Sequence, residues 1–502
     1  MPSTFSYEFK TPTYSGKTSF NTGIYINGEF RDGSDSTTID VFNPATGQVI
    51  AKISEGTPKD IDLAVEAAQK AFESSWGLKC PGAQRSILMN KLANLMEKHL
   101  DELAAIEALD GGKTFFWSKN VDIVAAIDCI RYYAGWADKV TGQVLETTEA
   151  KLTYTRHEPI GVVGHIIAWN FPLLLMCWKL GPALATGNTV ILKPSEMTPL
   201  TALRMCELIA EAGFPPGVVN VVPGYGNTVG DAITHHHGIE KVSFTGSTLV
   251  GRKIMEAAAK SNLKNITLEL GGKSPNIIFD DADLEKAANW AAFGVFWNQG
   301  QVCSAATRLY VQAGIYDKFL EKFTEKLKAI NVGDPFGETS WHGPQVSQTQ
   351  YDRIMNYIQA GKDEGAKVHI GGERIGTEGY FMQPTLFTDT KPDMKIVKEE
   401  IFGPVGVLIK FEDEEDAIRQ ANDSTYGLAA AVFTENINRA IETVHKLKAG
   451  TTWVNCTNSL HNNVPFGGFK QSGIGRELGE YALHHYTNVK AVHVNLGIPM
   501  NI

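Results

Sequence analysis

The sequence lacks three features that would mark a membrane, secreted or nucleic-acid-binding protein. No apolar run reaches the roughly 18 residues that a membrane-spanning helix needs, and residues 1–21 have no apolar core of a secretory signal. The six cysteines form no CxxC pair, which argues against a zinc or disulfide framework. The net charge of -10 disfavours nucleic acids and anionic membranes, which attract basic surfaces. We therefore expect small-molecule partners, with no nucleic acid and no membrane.

The composition of the N-terminal segment bears on whether the protein is cytoplasmic or lies in the mitochondrial matrix. It is rich in Ser and Thr, as mitochondrial presequences are, but it contains Glu8 and has no arginine before Arg31. The scattered cysteines also suggest a reducing compartment. We predict a cytoplasmic protein, with the matrix as the alternative.

Two series of alternating strand-like and helix-like segments predict an α/β protein. The first has strand-like runs at 161–169, 189–193, 218–222 and 241–244, with a helical segment at Leu200–Ala212. The second has strand-like runs at 276–279, 307–312 and 404–411, with helical segments at 315–330 and 437–448. We predict a Rossmann-like dinucleotide-binding domain (1–140 and 156–270), a second α/β catalytic domain (271–480) and a small β oligomerisation arm (141–155 and 481–502).

Three helices are expected between residues 57 and 136. Thr57 and Pro58 provide an N-cap and a proline at the first helical position. The apolar residues from Ile87 to Leu103 repeat at helical intervals and predict a second helix that ends at Gly111. A third helical region covers 121–136, and alternating residues over 141–155 indicate a hairpin.

Cys303 is placed where a catalytic nucleophile is expected. It follows a turn that contains Gly300 and precedes the strand-like run at 307–312. The thiolate is the reactive form of cysteine, and it needs polar or electropositive surroundings to be populated near neutral pH. A cysteine taken alone is more often a small buried apolar residue. The assignment therefore depends on partners elsewhere in the chain.

Glu269 and Asn170 are candidate partners of the thiol. Glu269 lies between two leucines at the inferred domain junction, where desolvation would raise its pKa and suit it to general base catalysis. The alternative is a surface glutamate that ends a strand. Asn170 follows a buried strand, and its amide would donate to a developing oxyanion. The alternative for Asn170 is a turn before Phe171 and Pro172, and in isolation that alternative is the stronger.

Two further segments resemble parts of a nucleotide site. Lys193 and Glu196 end a strand at the crevice position of an open sheet, where a carboxylate can hold two ribose hydroxyls. Residues 244–251 form a strand, a glycine turn at Gly246 and a helix start, which suits a phosphate, although the G-x-G-x-x-G pattern is absent. The run 235–237 of three histidines cannot present all its rings to one ion on a regular element, so we expect no metal.

Seven motifs occur in one order along the chain, and on them the chain resembles the NAD(P)-dependent aldehyde dehydrogenase superfamily over about residues 24–494. They are WNFP, ILKPSE, FTGSTLVG, LELGGKSP, NQGQVCSA, EEIFGPV and PFGGFKQSGIGRE. The resemblance implies that NAD oxidises an aldehyde to the carboxylic acid. The path runs through a Cys303 thiohemiacetal and a thioester that Glu269-activated water hydrolyses.

The resemblance also implies roles for particular residues. The catalytic positions are Cys303, Glu269 and Asn170, with Lys179 and Glu477 in proton relay. The cofactor positions are Ile166, Trp169, Lys193, Glu196, Gly246, Ser247, Gly271, Glu400 and Phe402. The walls of the substrate tunnel, which would accept an apolar tail, are Phe171, Trp178, Trp297, Leu460 and Phe466.

The resemblance further implies a dimer or a homotetramer (dimer of dimers), bridged by 141–155 and the C-terminal strand. Val302 lies where some relatives have a second cysteine, and the segment 458–464 varies with substrate, so the aldehyde is left open. A cysteine hydrolase without a dinucleotide, or a purely structural role, are the competing functions. Cofactor binding separates them from the dehydrogenase.

Overall fold

The computed structural model describes residues 3–500, and the first part of the chain forms β ribbons followed by a helical layer. The strands are β1 (Thr4–Lys10), β2 (Ser15–Asn21), β3 (Ile24–Ile26), β4 (Glu29–Arg31), β5 (Thr38–Asn43) and β6 (Gln48–Ser54). The helices are α1 (Pro58–Ser74), α2 (Gly82–Lys98), α3 (Leu100–Gly111), α4 (Phe115–Trp117) and α5 (Val124–Ala134). A 3-10 turn lies at Gly77–Lys79 and a π-helical turn at Ser118–Ile123.

The predicted start of α1 is confirmed, but the predicted second helix is wrong in part. Thr57 and Asp60 form a capping box, and Pro58 is the first helical residue. The chain breaks into α2 and α3 at His99, whose backbone leaves helical dihedrals and whose ring bonds to Glu102. Ile87, expected on the apolar face, is 50% exposed. The third helical region ends at Ala134 and begins with the π turn, where the regular periodicity is lost.

The next part of the chain is a hairpin followed by a βα series. The hairpin is β7 (Val144–Thr148) and β8 (Lys151–Pro159), which confirms the predicted alternation. The series is β9 (Val162–Ile166), α6 (Pro172–Thr186), β10 (Thr189–Lys193), α7 (Leu200–Ala212), β11 (Val219–Val221), α8 (Asp231–His235), β12 (Lys241–Thr245), α9 (Thr248–Lys260) and β13 (Asn265–Glu269). A π turn at Gly226–Gly230 precedes α8.

The remaining elements form a second βα series and the C-terminal strand. They are β14 (Pro275–Ile278), α10 (Leu284–Phe296), β15 (Arg308–Gln312), α11 (Tyr316–Lys328), α12 (Gln348–Asp363), β16 (Lys367–Ile370), β17 (Thr385–Thr388), α13 (Lys395–Lys398), β18 (Val405–Phe411), α14 (Glu414–Asn422), β19 (Ala429–Phe433), α15 (Ile437–Lys446), β20 (Thr451–Val454), β21 (Gly473–Ile474), α16 (Tyr481–His484) and β22 (Thr487–Asn495). Short 3-10 turns lie at Trp297–Gly300, Ala313–Ile315 and Lys470–Ser472.

Two mainly parallel sheets dominate the fold, as the α/β prediction requires. The first has the strand order β21-β13-β12-β9-β10-β11-β3-β4, and its five central strands are parallel. From β9 the chain winds outward through β10 and β11, then returns to the other side of β9 to form β12 and β13. The sheet therefore has a topological switch point between β9 and β12, the place where open α/β sheets bind ligands.

The second sheet has the order β16-β17-β18-β15-β14-β19-β20, with only β16 antiparallel. The segments predicted to form the arm lie largely in a separate three-stranded sheet, β22-β8-β7. In it, β22 pairs with β8 from Thr487 to Asn495. The edge strand β21 of the first sheet comes from residues far beyond the predicted boundary at Gly271. The boundaries of the domains stay a prediction.

Within residues 3–500, no helix has both the length and the apolar content needed to cross a membrane.

Candidate active site

A cavity of about 160 Å³ opens at the switch point of the first sheet and extends to the Cys303 turn. Segments that are far apart in sequence supply its walls. It is lined by fourteen of the predicted site residues: Trp169, Asn170, Phe171, Trp178, Gly246, Ser247, Glu269, Gly271, Trp297, Cys303, Glu400, Phe402, Leu460 and Phe466. Ile166, Lys179, Lys193, Glu196 and Glu477 lie outside this lining.

Cys303 lies in the turn that joins α10 to β15 and is half-buried. Burial raises the pKa of its thiol to about 12, with further increases from the carboxylates of Glu269 and Glu400. The backbone N–H groups of Cys303 and Ser304 act in the opposite direction. The surroundings of the thiol in the protein alone are therefore polar but not electropositive, because the charged groups that act on it are two carboxylates.

The turn before Cys303 has an uncommon backbone. Asn298, Gln299 and Gly300 are all left-handed, with φ of 49°, 59° and 68°. A Cβ at Gly300 would lie 2.2 Å from the carbonyl oxygen of Gly403, so this position admits only glycine. Asn tolerates the left-handed region better than most side chains do. The strained turn sets the direction in which the chain enters Cys303.

Asn170 follows β9 and is bonded to the same turn. Its Nδ2 donates to the carbonyl of Gln301 at 3.0 Å, and Nδ2 of Asn298 donates back to the carbonyl of Asn170 at 3.0 Å. An amide nitrogen carries two hydrogens, so one N–H of Asn170 is left for a ligand in the cavity. The buried Asn170 is therefore more than a turn residue, since its side chain reaches the segment that carries the thiol.

Glu269 ends β13 and is 5% exposed, which rules out the surface glutamate alternative. Its Oε2 has no hydrogen-bond partner within residues 3–500. Burial raises the pKa of the carboxyl well above its ordinary range, and Glu477 adds to the increase while Lys179 and Arg476 oppose it. The direction of this shift is the one expected from desolvation. A buried carboxyl of raised pKa is the kind of group that general acid–base catalysis uses.

Lys179 and Glu477 form a buried ion pair behind Glu269. The Lys179 ammonium donates to Oε1 of Glu477 at 2.6 Å and to the Ser243 hydroxyl at 3.0 Å, and Ser243 lies 3.2 Å from the same carboxylate oxygen. The backbone of Glu477 also bridges Phe466, a residue of the cavity wall. The pair therefore connects electrostatically with Glu269 without lining the cavity.

Glu400 and Phe402 lie on the loop between α13 and β18. Oε1 of Glu400 accepts from the backbone N–H of Gly272 at 2.9 Å, and burial raises the pKa of the carboxyl to about 7. A Cβ at Gly271 would lie 2.3 Å from Oε2 of Glu400, so the glycine allows the carboxylate to approach. The rings of Phe402 and Trp169 meet edge to face at 5.1 Å.

The predicted phosphate and ribose residues occupy strand ends of the first sheet. Ser247 is the N-cap of α9, and its Oγ accepts from the N–H of Val250 at 3.3 Å. At the end of β10, Lys193 is buried, and its ammonium lies 3.2 Å from the carboxylate of the partly exposed Glu196. Burial lowers the pKa of Lys193, while Glu196 opposes that change.

The five residues predicted to form the wall of the substrate tunnel all line the cavity. The rings of Phe171 and Trp297 lie 5.3 Å apart, and those of Trp178 and Phe466 lie 5.5 Å apart. The sequence interpretation missed Leu174 and Leu175, which also line the cavity. The spacing of Phe171, the N-cap of α6, and of residues 174, 175 and 178 places them on one side of the helix and would have identified both leucines.

Asn458 begins the segment 458–464, which the sequence analysis named without giving Asn458 a role of its own. It lines the cavity, and its Oδ1 accepts from the hydroxyl of Ser304, the residue after Cys303. No sequence signal connects these two residues, which are far apart in the chain.

The chain is similar to known proteins in both sequence and structure. The profile of the aldehyde dehydrogenase family matches residues 30–492. An aldehyde dehydrogenase of Agaricus bisporus is 70% identical over 500 residues, covering 100% of each chain. One of Emericella nidulans is 58% identical over 475 residues, covering 95% of each chain. The structure of the NAD+ complex of an aldehyde dehydrogenase from Bacillus cereus is similar with a TM-score of 0.94 at 50% identity, covering 95% of this chain and 97% of that one.

Proposed function

The chain belongs to the aldehyde dehydrogenase family, and on that basis we propose that it oxidises an aldehyde to the carboxylic acid with NAD, through a thioester on Cys303. One observation supports this assignment more than the others. A thiol, a buried carboxyl of raised pKa and an amide donor, from Cys303, Glu269 and Asn170, line one cavity with apolar walls. The reaction needs a nucleophile, a base and an oxyanion donor.

Residues around the carboxyl ends of the first sheet, some lining the cavity and some beside it, fit a dinucleotide. Ser247 caps the N-terminus of a thirteen-residue helix, where backbone N–H groups and the helix dipole favour a pyrophosphate. Lys193 and Glu196 at the end of β10 supply a cation and a carboxylate for the adenosine ribose. Glu400, held by the N–H of Gly272, is positioned for the nicotinamide end. Ser247 lies at the switch point, Lys193 and Glu196 lie at the end of β10 next to β9, and Glu400 lies on the loop before β18.

The first chemical step forms a bond between Sγ of Cys303 and the carbonyl carbon of the aldehyde. The thiol proton passes to Glu269, whose raised pKa suits it to receive that proton. The carbonyl oxygen becomes an oxyanion, stabilised by the free N–H of Asn170 and the backbone N–H of Cys303. When bound, NAD accepts the hydride that leaves the thiohemiacetal carbon.

The second step breaks the thioester. Glu269 first passes the thiol proton on towards the Lys179–Glu477 pair and so becomes a carboxylate again. It then takes a proton from water, the hydroxide adds to the acyl carbon, and the C–S bond breaks to release the acid and the thiolate. The Lys179–Glu477 pair behind Glu269 then supports transfer of the proton away from the cavity. This relay explains why two buried charges lie next to a base without touching the cavity.

The test is aldehyde-dependent formation of NADH by the purified protein, with the acid product identified by mass spectrometry. We expect NADH to appear with NAD and with a panel of short aliphatic, aromatic and amino-aldehydes. A hydrolase would instead release acid from thioesters or esters with no need for a dinucleotide. Within residues 3–500 no histidine lines the cavity, which disfavours the cysteine hydrolase. No NADH with any aldehyde of the panel would overturn the proposal.

We also propose that the protein assembles as a homotetramer through its arm. The sheet β22-β8-β7 exposes Val144, Leu145 and Val489, which are 70%, 41% and 63% exposed in the single chain. Exposed apolar residues on a strand edge are typical of an interface. Analytical ultracentrifugation should give four times the chain mass, and Val144→Lys should reduce the assembly. The cytoplasmic location stays a prediction from the sequence.

A further inference from the structure

A small second cavity lies at the amino ends of β14, β15 and β19 in the second sheet. Lys273 and Ser274, just before β14, line it together with Arg308, the first residue of β15. Within residues 3–500 it shares no lining residue with the candidate active site. Lys273 and Ser274 belong to the motif LELGGKSP, yet the reaction steps above use neither residue.

Two buried side chains of this lining lack hydrogen-bond partners. Lys273 and Ser274 are 2% and 3% exposed, and within residues 3–500 neither the ammonium nor the hydroxyl has a partner. Burial, followed by the charge of Arg308, lowers the pKa of Lys273 to about 7, and Glu400 and Glu399 oppose this change from outside the lining. Because Arg308 acts on the ammonium more than either carboxylate does, we place the ammonium on the side of the cavity. An ammonium that has lost its hydration needs an acceptor.

The cations around the cavity keep hydrogens that the protein does not use. Nε of Arg308 donates to the carbonyl of Lys273 at 2.8 Å and Nη2 donates to that of Ala421 at 2.8 Å, so within residues 3–500 one N–H of Nη2 is left over. The ammonium of Lys470 donates to two carbonyls of the loop after α14, and among the same residues its third hydrogen is unused. These carbonyls already accept hydrogen bonds, so the surplus around the cavity consists of donors.

The lining combines positive charge with little space. Four cationic residues contribute to it: Lys273, Arg308, Lys448 and Lys470. No aspartate or glutamate of residues 3–500 belongs to it. The volume of about 10 Å³ admits a single particle of roughly the size of a water molecule. A halide meets these limits, whereas sulfate and phosphate, which carry oxygens around a central atom, are too large.

We propose that this cavity is a binding site for a small monovalent anion such as chloride, held by the ammonium of Lys273, the hydroxyl of Ser274 and the guanidinium of Arg308. A water molecule brings no charge, so it leaves the ammonium without a counter-ion. A halide accepts hydrogen bonds from all three groups and balances the charge. The anion stabilises the start of three strands and takes no part in the reaction, so the site does not depend on the proposed function.

Bromide is the probe in a crystal, because its anomalous scattering distinguishes it from water. The full chain crystallised from sodium bromide should give an anomalous peak within hydrogen-bond distance of Nζ of Lys273 and Oγ of Ser274. Density at that position without an anomalous signal would show a water molecule only and would overturn the proposal.

Thermal unfolding tests the site in solution. Protein freed of chloride is heated below pH 7, where Lys273 is mainly protonated, in sodium chloride or in sodium gluconate of the same concentration. Tm should rise by about 2 °C for each tenfold increase in chloride above its Kd, because the anion binds the folded state alone. Gluconate, which is too large for the cavity, should produce no such rise. Equal curves in the two salts would contradict the proposal even with a bromide peak, which would then be an adventitious ion only.

Variants of the two unpartnered side chains test their roles. Lys273→Met removes the ammonium and should abolish the difference in Tm between the two salts. Lys264→Met is the matched control: Lys264 is also buried, but it already donates to the carbonyl of Thr234 and to the hydroxyl of Ser261, so the difference should remain.

Ser274→Ala covers the case in which Lys273→Met does not fold, since it keeps the ammonium in place. The chloride Kd, obtained from the dependence of Tm on chloride, should rise about fivefold, the loss expected for one hydrogen bond. A wild-type response to chloride in a folded Lys273→Met, or in Ser274→Ala, would overturn the proposal.

Discussion

The hydroxyl of Ser304 donates to Oδ1 of Asn458 at 2.8 Å, and both side chains are buried. Ser304 follows Cys303, and its backbone N–H acts on the Cys303 thiol. Asn458 lines the same cavity from the loop after β20. The bond therefore connects the turn that carries the thiol with another part of the cavity wall.

Asn458→Ala should lower kcat by about fivefold, since a hydrogen bond of this kind contributes about 1 kcal/mol and the buried hydroxyl of Ser304 is left unpaired. Asn458→Asp retains an acceptor for the hydroxyl of Ser304, so its kcat should fall by less than that of Asn458→Ala. Steady-state kinetics with a saturating aldehyde gives the comparison. Asn463→Ala, at an exposed position of the same loop, is the control. Equal activity of the Ala variant and the wild type would show that the bond does not position the thiol.

Cys303→Ala should abolish aldehyde oxidation while leaving NAD binding within a few-fold of the wild type, because only the covalent step is removed. Isothermal titration calorimetry measures the binding, and NADH absorbance measures the activity. Cys456→Ala changes the other half-buried cysteine and should remain active. Oxidation by the Cys303 variant above a few per cent of the wild-type rate would end the assignment of the nucleophile.

Glu269→Gln should slow thioester hydrolysis more than acylation, because the amide has the shape of the acid but cannot take a proton from water. Single-turnover mixing should show a burst of about one NADH per active site, followed by slow turnover, and mass spectrometry should detect the acyl group on Cys303. A slowed burst would instead assign Glu269 mainly to deprotonation of the thiol. Wild-type turnover would exclude it from both steps.

The alkylation of Cys303 by iodoacetamide should accelerate with pH without a plateau near neutrality. The raised pKa, about 12, means that the thiolate fraction of the free protein grows about tenfold per pH unit throughout the neutral range. NAD should increase the rate at constant pH, because its nicotinamide ring carries a positive charge that favours a neighbouring thiolate. Mass spectrometry of the modified peptide gives the rates. A plateau below pH 8 would contradict the predicted direction of the shift.

NAD should be preferred over NADP, because a carboxylate at Glu196 that accepts the ribose 2′-hydroxyl would repel a 2′-phosphate. Glu196→Gln should narrow the ratio of kcat/KM between the two cofactors. Glu207→Gln is a close control, since Glu207 also pairs with a basic residue three positions away, Arg204, and is similarly exposed. A wild-type preference for NADP would place Glu196 away from the ribose.

The features that depend on local pattern were predictable from the sequence, and those that depend on packing were not. Helix α7 has the bounds that its apolar spacing predicts, and Thr57 caps α1. The sequence analysis missed the break between α2 and α3 at His99, because the apolar spacing continues through this residue. The ring of His99 bonds to Glu102 on α3 and to Arg204 on α7, and neither contact is visible in the spacing.

The same distinction holds for the site. Strand ends and the order of motifs were sufficient to predict Cys303, Glu269 and Asn170, which line one cavity. The high pKa of the thiol was not predictable, since it depends on how deeply the turn is buried and on carboxylates contributed by two other segments. The contact between Asn458 and Ser304 was not predictable either, because the two residues are 154 positions apart in the sequence.

The left-handed turn at Asn298, Gln299 and Gly300 has a consequence for evolution and engineering of the chain. Because Asn170 and Asn298 bond to each other's segments, we expect the Cys303 turn and the segment after β9 to tolerate exchange only together. A chimera that takes either segment alone from a relative should lose activity even if it folds. A chimera that takes both together with Gly403, which packs against Gly300, should keep it.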